Sequence, residues 1–440
     1  MNLIEAVKKN NLELISKCIE DGQDINQTDK NTPLHIACDK NPNPQVIELL
    51  ISSGAKVDSV NRNYPLHFLA RNDSVECLKI LLQKEVDANC KNKWTPLHFA
   101  CYHNSPNVVR ELIKFGVDLN SLANVNQKLI LIIFYILIIL FIQDNNSPIN
   151  LAARYNQNYE IIKELIFAGC NVNLLNRENP IHRLFLEKKV DQRSLNLLLS
   201  SKCSLDEKNN ETPLDLVQDG ESKNLLDHYL SIIPDLRDLL ERKEKCDLNI
   251  QCSDGEIFCH QMIFRARFLE KFNLEKIQTV LSKYKTNQVN EYLEFIYLGE
   301  IDYPKSFKLI TEISEKFEIK NIENKIGILS LISDLTELSK DQKSKDFTIL
   351  VSKKKICIHS TILLARSELY RGMFVSVDDK SNQVSDYSKL SFETLSILFN
   401  FFYTDSLPQK MKKKYKKELE VAIDYFQLNS NTNLKKLLQI

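Results

Sequence analysis

WTPLHFAC, Trp94 to Cys101, decides how the first half of this chain is read. A residue before proline is pushed towards extended backbone. A threonine hydroxyl there can cap a helix, and Pro96 suits the first helical turn, where its missing N–H costs nothing. Leu97, Ala100 and Cys101 then fall on one face of a short helix. The string recurs as NTPLHIAC (31–38), NYPLHFLA (63–70), NSPINLAA (146–153), NPIHRLF (179–185) and ETPLDLV (211–217). Its prolines, Pro33, Pro65, Pro96, Pro148, Pro180 and Pro213, are spaced by 32, 31, 52, 32 and 33 residues. Between them lie second amphipathic stretches such as QVIELLISSGA, VECLKILLQ and EIIKELIFAG. A fixed period of this length means a stacked array, because one helix pair cannot bury its own apolar face.

The string resembles the hallmark of the ankyrin repeat. It is complete at Thr32-Pro33-Leu34-His35 and Thr95-Pro96-Leu97-His98. It is partial at Pro65-Leu66-His67, Pro148, Pro180 with His182, and Thr212-Pro213. The resemblance covers residues 1–230, with 2–26 as an N-terminal capping repeat and 210–230 as a truncated last one. It implies an α-solenoid whose concave face and hairpin tips bind a protein ligand, and it gives the histidines structural hydrogen bonds. His35 with Cys38, and His98 with Cys101, lie one helical turn apart, but no unit offers three or four ligands at zinc spacing. No metal or other cofactor is expected.

After Pro234 the period is lost, and two other segments match each other: CDLNIQCSDGEIFCHQMIFRAR (246–267) and KDFTILVSKKKICIHSTILLARS (345–367). Asp247 precedes His260 by 13 residues, as Asp346 precedes His359. Alternation at Phe347, Ile349 and Val351, a lysine-rich turn, then Ile356 and Ile358 predict a β-hairpin leading into a helix. Later stretches, EYLEFIYLGEID (291–302) and TLSILFNFFYTDSL (394–407), read as helices ending in tyrosine and a polar break. This pattern resembles the BTB/POZ domain. The second copy, within 333–440, carries His359, Leu363, Ala365, Arg366, Ser367 and Phe374 in register. The first copy, 240–325, keeps Asp247, His260, Ala266 and Arg267 but is degenerate, with 37 residues from His260 to Tyr297 against 44 from His359 to Tyr403. The fold class expected is therefore mainly α, an ankyrin-repeat solenoid followed by two α+β BTB/POZ-like domains.

Composition narrows the function. Basic and acidic residues balance at 58 each, which disfavours a nucleic-acid or membrane partner. Eleven cysteines without a CxxC pair, and no legible leader peptide, fit reduced thiols in the cytoplasm. The run KMKKKYKK (410–417) is either a nuclear or acidic-partner signal or the solvated start of the amphipathic helix that follows. Nine glycines leave little room for phosphate loops, and no hydrolase, kinase or metalloprotease signature is present. No catalytic residues are expected.

One stretch resists this frame. Leu129 to Ile142 is wholly Leu, Ile, Phe and Tyr. In five repeats, 7 residues separate the last position of the D-x-N-like turn from the next proline; from Asn120 to Pro148 there are 28, a surplus of 21. The 14 apolar residues would rise about 21 Å as a helix, short of the roughly 30 Å hydrocarbon core. A crossing would also split one stack across a bilayer. A structural insertion over 125–145 is one alternative, although an apolar helix at a hairpin tip needs a covering surface. A retained intron is the other, and we favour it as a hypothesis. Every residue type in the run has a codon made only of A and T, Val125 requires GT, and Gln143 can be CAG. Removing Val125–Gln143 keeps frame and leaves SLAN-DNNSPINLAA. Transcript sequencing decides: messages that all retain these codons would end the intron reading.

By resemblance, the chain is expected to be a protein–protein adaptor. Its ankyrin face would bind a protein ligand, and its BTB domains would self-associate or recruit a cullin-type ubiquitin ligase. A non-ligase signalling or cytoskeletal scaffold is the alternative. A cytoplasmic location is expected, with the nucleus second.

Overall fold

A computed structural model describes residues 2–27, 31–39, 42–57, 64–84, 86–91, 93–123, 146–174, 179–186, 190–205, 212–268, 273–319, 321–351, 354–371, 390–428 and 434–438. They form two compact units, Met1–Leu198 with Cys203–Asp219, and Leu199–Lys202 with Gly220–Ile440. The apolar run and Phe374 lie outside the described residues.

The first unit is a helical array. Its helices are α1 (Leu3–Lys8), α2 (Leu12–Glu20), α3 (Pro33–Asp39), α4 (Pro44–Ser52), α5 (Pro65–Arg71), α6 (Val75–Leu82), α7 (Pro96–Tyr102) and α8 (Pro106–Phe115). They continue as α9 (Pro148–Leu151, extended by a π-turn over Ala152–Asn156), α10 (Tyr159–Phe167), α11 (Pro180–Phe185), α12 (Gln192–Ser200) and α13 (Pro213–Leu216). First helices pack on first helices, α1 on α3 and so on through α9, while α2, α4, α6, α8 and α10 form the second layer. Leu34, Leu66 and Leu97 from one layer, and Ile47, Leu78 and Leu112 from the other, are almost wholly buried between them. Each is worth about 1.5–3 kcal/mol of transfer free energy.

A ladder of asparagines stitches the hairpins together. Asn26, Asn89, Asn120 and Asn173 each receive a backbone N–H bond at the side-chain oxygen, from Lys56, Asp118, Asn171 and Ser204, at 2.7–2.8 Å. The sequence separations are 30, 29, 51 and 31. The third rung has the same geometry as the others despite a surplus of about twenty residues, so the described residues on either side of the surplus keep the register of the stack. Ala123 N–H donates to the Asn146 carbonyl at 3.0 Å, which joins the two sides. Deleting 125–143 should therefore leave the free energy of chemical unfolding, read by the single tryptophan Trp94, within about 1 kcal/mol of the parent. A loss of several kcal/mol would show that the segment supports the array.

The second unit holds two hairpins among helices: α14 (Gly220–Arg242), β1 (Leu248–Gln251), β2 (Glu256–Cys259), α15 (Gln261–Phe268), α16 (Leu274–Leu281), α17 (Thr286–Leu298), α18 (Lys305–Lys316), α19 (Ile328–Lys340), β3 (Phe347–Val351), β4 (Lys354–Ile358), α20 (Ser360–Arg366), α21 (Phe392–Thr404), α22 (Lys413–Tyr425) and α23 (Leu434–Leu438). Each sheet is one antiparallel pair, with Leu248 opposite Cys259 and Phe347 opposite Ile358. The mainly α class matches the expectation. One difference lies at Pro234, where the period ends in the sequence. Helix α14 runs through it and across the expected boundary at 230. Proline removes the helical bond to the Leu230 carbonyl there, and the next carbonyl, of Ser231, accepts from Arg366 at 3.2 Å.

Candidate functional site

The histidines of the repeat strings are locked by their surroundings. The Thr95 N–H donates to His98 Nδ1 at 3.2 Å, and His98 N–H donates to Thr95 Oγ1 at 3.4 Å. Nδ1 is thus an acceptor, the proton sits on Nε2, and Nε2 donates to the Asn146 carbonyl at 3.0 Å. Thr32 and His35 repeat the local geometry. His67 follows Tyr64 and so lacks the threonine, but its Nε2 reaches the Cys90 carbonyl at 3.2 Å. His182 pairs with Asn179 Oδ1 at 2.8 Å. Burial brings His67 and His98 down to about 4, so both are neutral at pH 7. Among the described residues, no three His, Cys, Asp or Glu side chains are grouped to hold a metal ion. The prolines at 33, 65, 96, 148, 180 and 213 all open helices and are buried.

The same helix layer carries a strip of half-buried rings. Trp94 lies 5.3 Å from Phe99 and 5.0 Å from Tyr102; Tyr102 lies 4.9 Å from exposed His103 and 4.8 Å from Tyr155. Arg71 covers Phe68 and Arg154 covers Tyr155, at 5.6 and 5.2 Å. Rings of this kind, stiff and only partly covered, supply large contact area at low entropic cost. The repeat strings mark Phe68 and Phe99. Tyr102 and Tyr155 are not legible as neighbours because the surplus separates them in sequence.

In the second unit, two sockets are wired alike. His260 N–H and His359 N–H donate to the hydroxyls of Tyr297 and Tyr403 at 2.8 and 2.9 Å. Each hydroxyl lies 2.8 or 2.6 Å from the same histidine's Nδ1. His260 Nε2 donates to the Glu244 carbonyl at 2.8 Å, which makes Nδ1 the acceptor of the tyrosine proton. Asp247 and Asp346 accept from the first helical N–H groups, of Gln261 and Ser360, at 2.8 and 2.7 Å. Burial holds His260 low and brings His359 to about 4. Leu363, Ala365 and Ala266 are core residues, and Ser367 Oγ donates to the Phe426 carbonyl. The arrangement joins strand, helix and tyrosine; the half-buried Cys246 thiol lies 3.9 Å from His260 Nε2 and is pushed up to about 11 by burial, and Ser344 Oγ lies 2.8 Å from His359 Nε2. Tyr403→Phe removes the partner of two buried groups and should cost about 1–3 kcal/mol in urea unfolding followed by far-UV circular dichroism.

The lysines of KMKKKYKK lie at the exposed start of α22, where Lys414 reaches Glu418 at 3.6 Å. Burial raises the Glu418 carboxyl, but hydrogen bonds from Ser391 and Thr394 outweigh it and bring the group to about 2. This carboxylate ties α22 to α21.

Comparison with known families follows the same division. The family described as ankyrin repeats (3 copies) matches residues 3–64 and 40–123, and the single ankyrin repeat family matches 144–177. The BTB/POZ domain family matches 335–437. The chain carries ankyrin repeats and a BTB/POZ domain. The ankyrin matches stop at 123 and resume at 144, on either side of the surplus segment. The BTB/POZ match begins at 335 and so leaves the first hairpin module, with His260 and Tyr297, outside it. Among solved structures, the ankyrin repeat domain of Bcl-3, titled a unique member of the IkappaB protein family, is 22% identical. The similarity covers 51% of this chain and 97% of that one, with a TM-score of 0.40. No curated protein matches.

Proposed function

We propose that this ankyrin–BTB protein is an adaptor that binds a protein ligand on the ring strip of its ankyrin array and associates with other proteins through its BTB half. The observation that carries the reading is the pairing of two interaction families in one chain with a partly uncovered aromatic strip on the first. The finer proposal is recruitment of a cullin-type ubiquitin ligase by the second module, so that the ankyrin-bound protein becomes the substrate. The first hairpin module is proposed as a second, degenerate BTB-like domain, supported by its matched socket. No catalytic step is assigned to any residue. Among the described residues, no helix is long and apolar enough to cross a membrane. We propose a cytoplasmic site of action, with the nucleus as the alternative.

Purification of the tagged full chain tests the ligase form. Stoichiometric cullin in the eluate supports it. Stable partners without cullin would replace it with a signalling or cytoskeletal scaffold.

A further inference from the structure

The internal repeat of the second unit extends further upstream than its hairpins. Ser231 and Asp235 precede Asp247 by 16 and 12 residues, and Ser330 and Asp334 precede Asp346 by the same offsets. Arg267 and Arg366 each follow their aspartate by 20. The contacts, however, are crossed. Arg366 of the second module donates to Asp235 at 2.8 Å and to Ser231, both on α14, the helix leading into the first module. Arg267 of the first module donates to Asp334 at 2.9 Å and to Ser330 at 3.3 Å, both on α19, the helix leading into the second. Each guanidinium also lies over an equivalent ring, Phe295 at 5.2 Å and Phe401 at 5.6 Å. The packing is reciprocal too: α14 lies on α17 and α20, and α19 on α21 and α15.

We propose that the two modules form one internal pair in which each is closed by the other's leading helix. The second module's face around Arg366 is thereby filled by α14 of the same chain and is not available to a second copy. The two halves differ in one respect. Asp405 adds a second carboxylate to Arg366, whereas the equivalent position in the first module is Gly299, two residues after Tyr297. A side chain at 299 would meet the Gly327 carbonyl oxygen at 2.9 Å. The two modules of the pair are therefore not interchangeable at this position.

The inference rests on the adaptor reading and narrows it: the BTB half pairs within the chain through the Arg366 face and meets other proteins through its remaining surfaces. Ligand capture by the ring strip is measured separately, so either can fail alone. Two measurements on the full chain test it. Sedimentation should give a single species of 51.0 kDa that does not change with concentration. Hydrogen exchange should show that Arg267→Met, a change in the first module, speeds exchange in β3 and β4 by the same factor as in β1 and β2. The milder Ser330→Ala serves if the first variant does not accumulate, and should speed β1 and β2 although it lies on α19. A dimer in sedimentation would show that the helices close a second copy instead. Exchange that rises in β1 and β2 alone after Arg267→Met, or in β3 and β4 alone after Ser330→Ala, would show two independent modules. Each of these results overturns the inference.

Discussion

Arg366→Met should destabilise the second unit by about 3–5 kcal/mol, the largest effect of any single substitution considered. Arg366 is 1% exposed, Asp235 1% and Asp405 0%. Removing the cation leaves two buried carboxylates without their arginine, and Asp405 with the Ser231 hydroxyl and the His228 ring beside it. Burial disfavours the charged guanidinium, but Asp405 and then Asp235 outweigh it and hold Arg366 above its ordinary value. Arg267, with a single buried carboxylate partner, is pulled below its ordinary value by burial. The cluster need not be net stabilising. Replacing it whole, with Arg366→Met, Asp235→Leu and Asp405→Gly together, should cost far less than Arg366→Met alone, because a buried ion group and a packed apolar one are often near equal. Glycine is the fitting choice at 405, whose φ is 51° and whose counterpart is Gly299. Far-UV circular dichroism in urea reads the difference. An Arg366→Met chain as stable as the parent would contradict this expectation.

Acid should unfold the ankyrin array before its carboxylates are the cause. His67 and His98 titrate near 4 in the folded chain, against about 6.5 when unfolded. Between those values the unfolded chain binds a proton that the folded one refuses. Stability from each histidine is therefore complete above about pH 6.5 and is lost as pH falls towards 4, by about 3 kcal/mol apiece. Trp94 stacks 6.5 Å from His98 and belongs to the array alone, so its fluorescence follows this unit. His98→Gln should flatten the slope between pH 6.5 and 4, leaving the part due to His67 and to His103, which burial also lowers. An unchanged slope would place the acid sensitivity elsewhere.

Much of this was legible in the sequence. Thr95-Pro96-Leu97-His98 predicts cap, helix start and inward leucine in one string, and all three follow from local chemistry. The 13-residue spacing of Asp and His predicts each hairpin, because strand alternation and a helix start leave little freedom between them. The Ser231–Asp235 and Ser330–Asp334 repeat is equally regular but lies across Pro234, where the ankyrin period ends in the sequence; helix α14 nevertheless runs on through the proline, its Ser231, Ile232, Ile233, Asp235 and Leu236 all buried. Which arginine meets which aspartate could not be read from spacing at all. The register permits pairing within a module or across modules, and only tertiary packing selects the crossed arrangement. The ring strip was half visible: Phe68 and Phe99 sit inside the repeated string, while Tyr155 reaches Tyr102 only when the stack closes across the surplus.

The adaptor reading turns on whether the strip binds protein. The direct measurement is side-by-side affinity purification of the full chain and of Trp94→Ala and His103→Ala variants, followed by affinity measurement on the captured ligand. Far-UV circular dichroism confirms that both variants fold. Loss of a central aromatic anchor costs about 2 kcal/mol or more, so Trp94→Ala should bind at least about 30-fold more weakly. His103→Ala, at the exposed rim, should lose less, and partners of the BTB half should remain. Ligand held equally well by the folded Trp94→Ala chain would contradict the account.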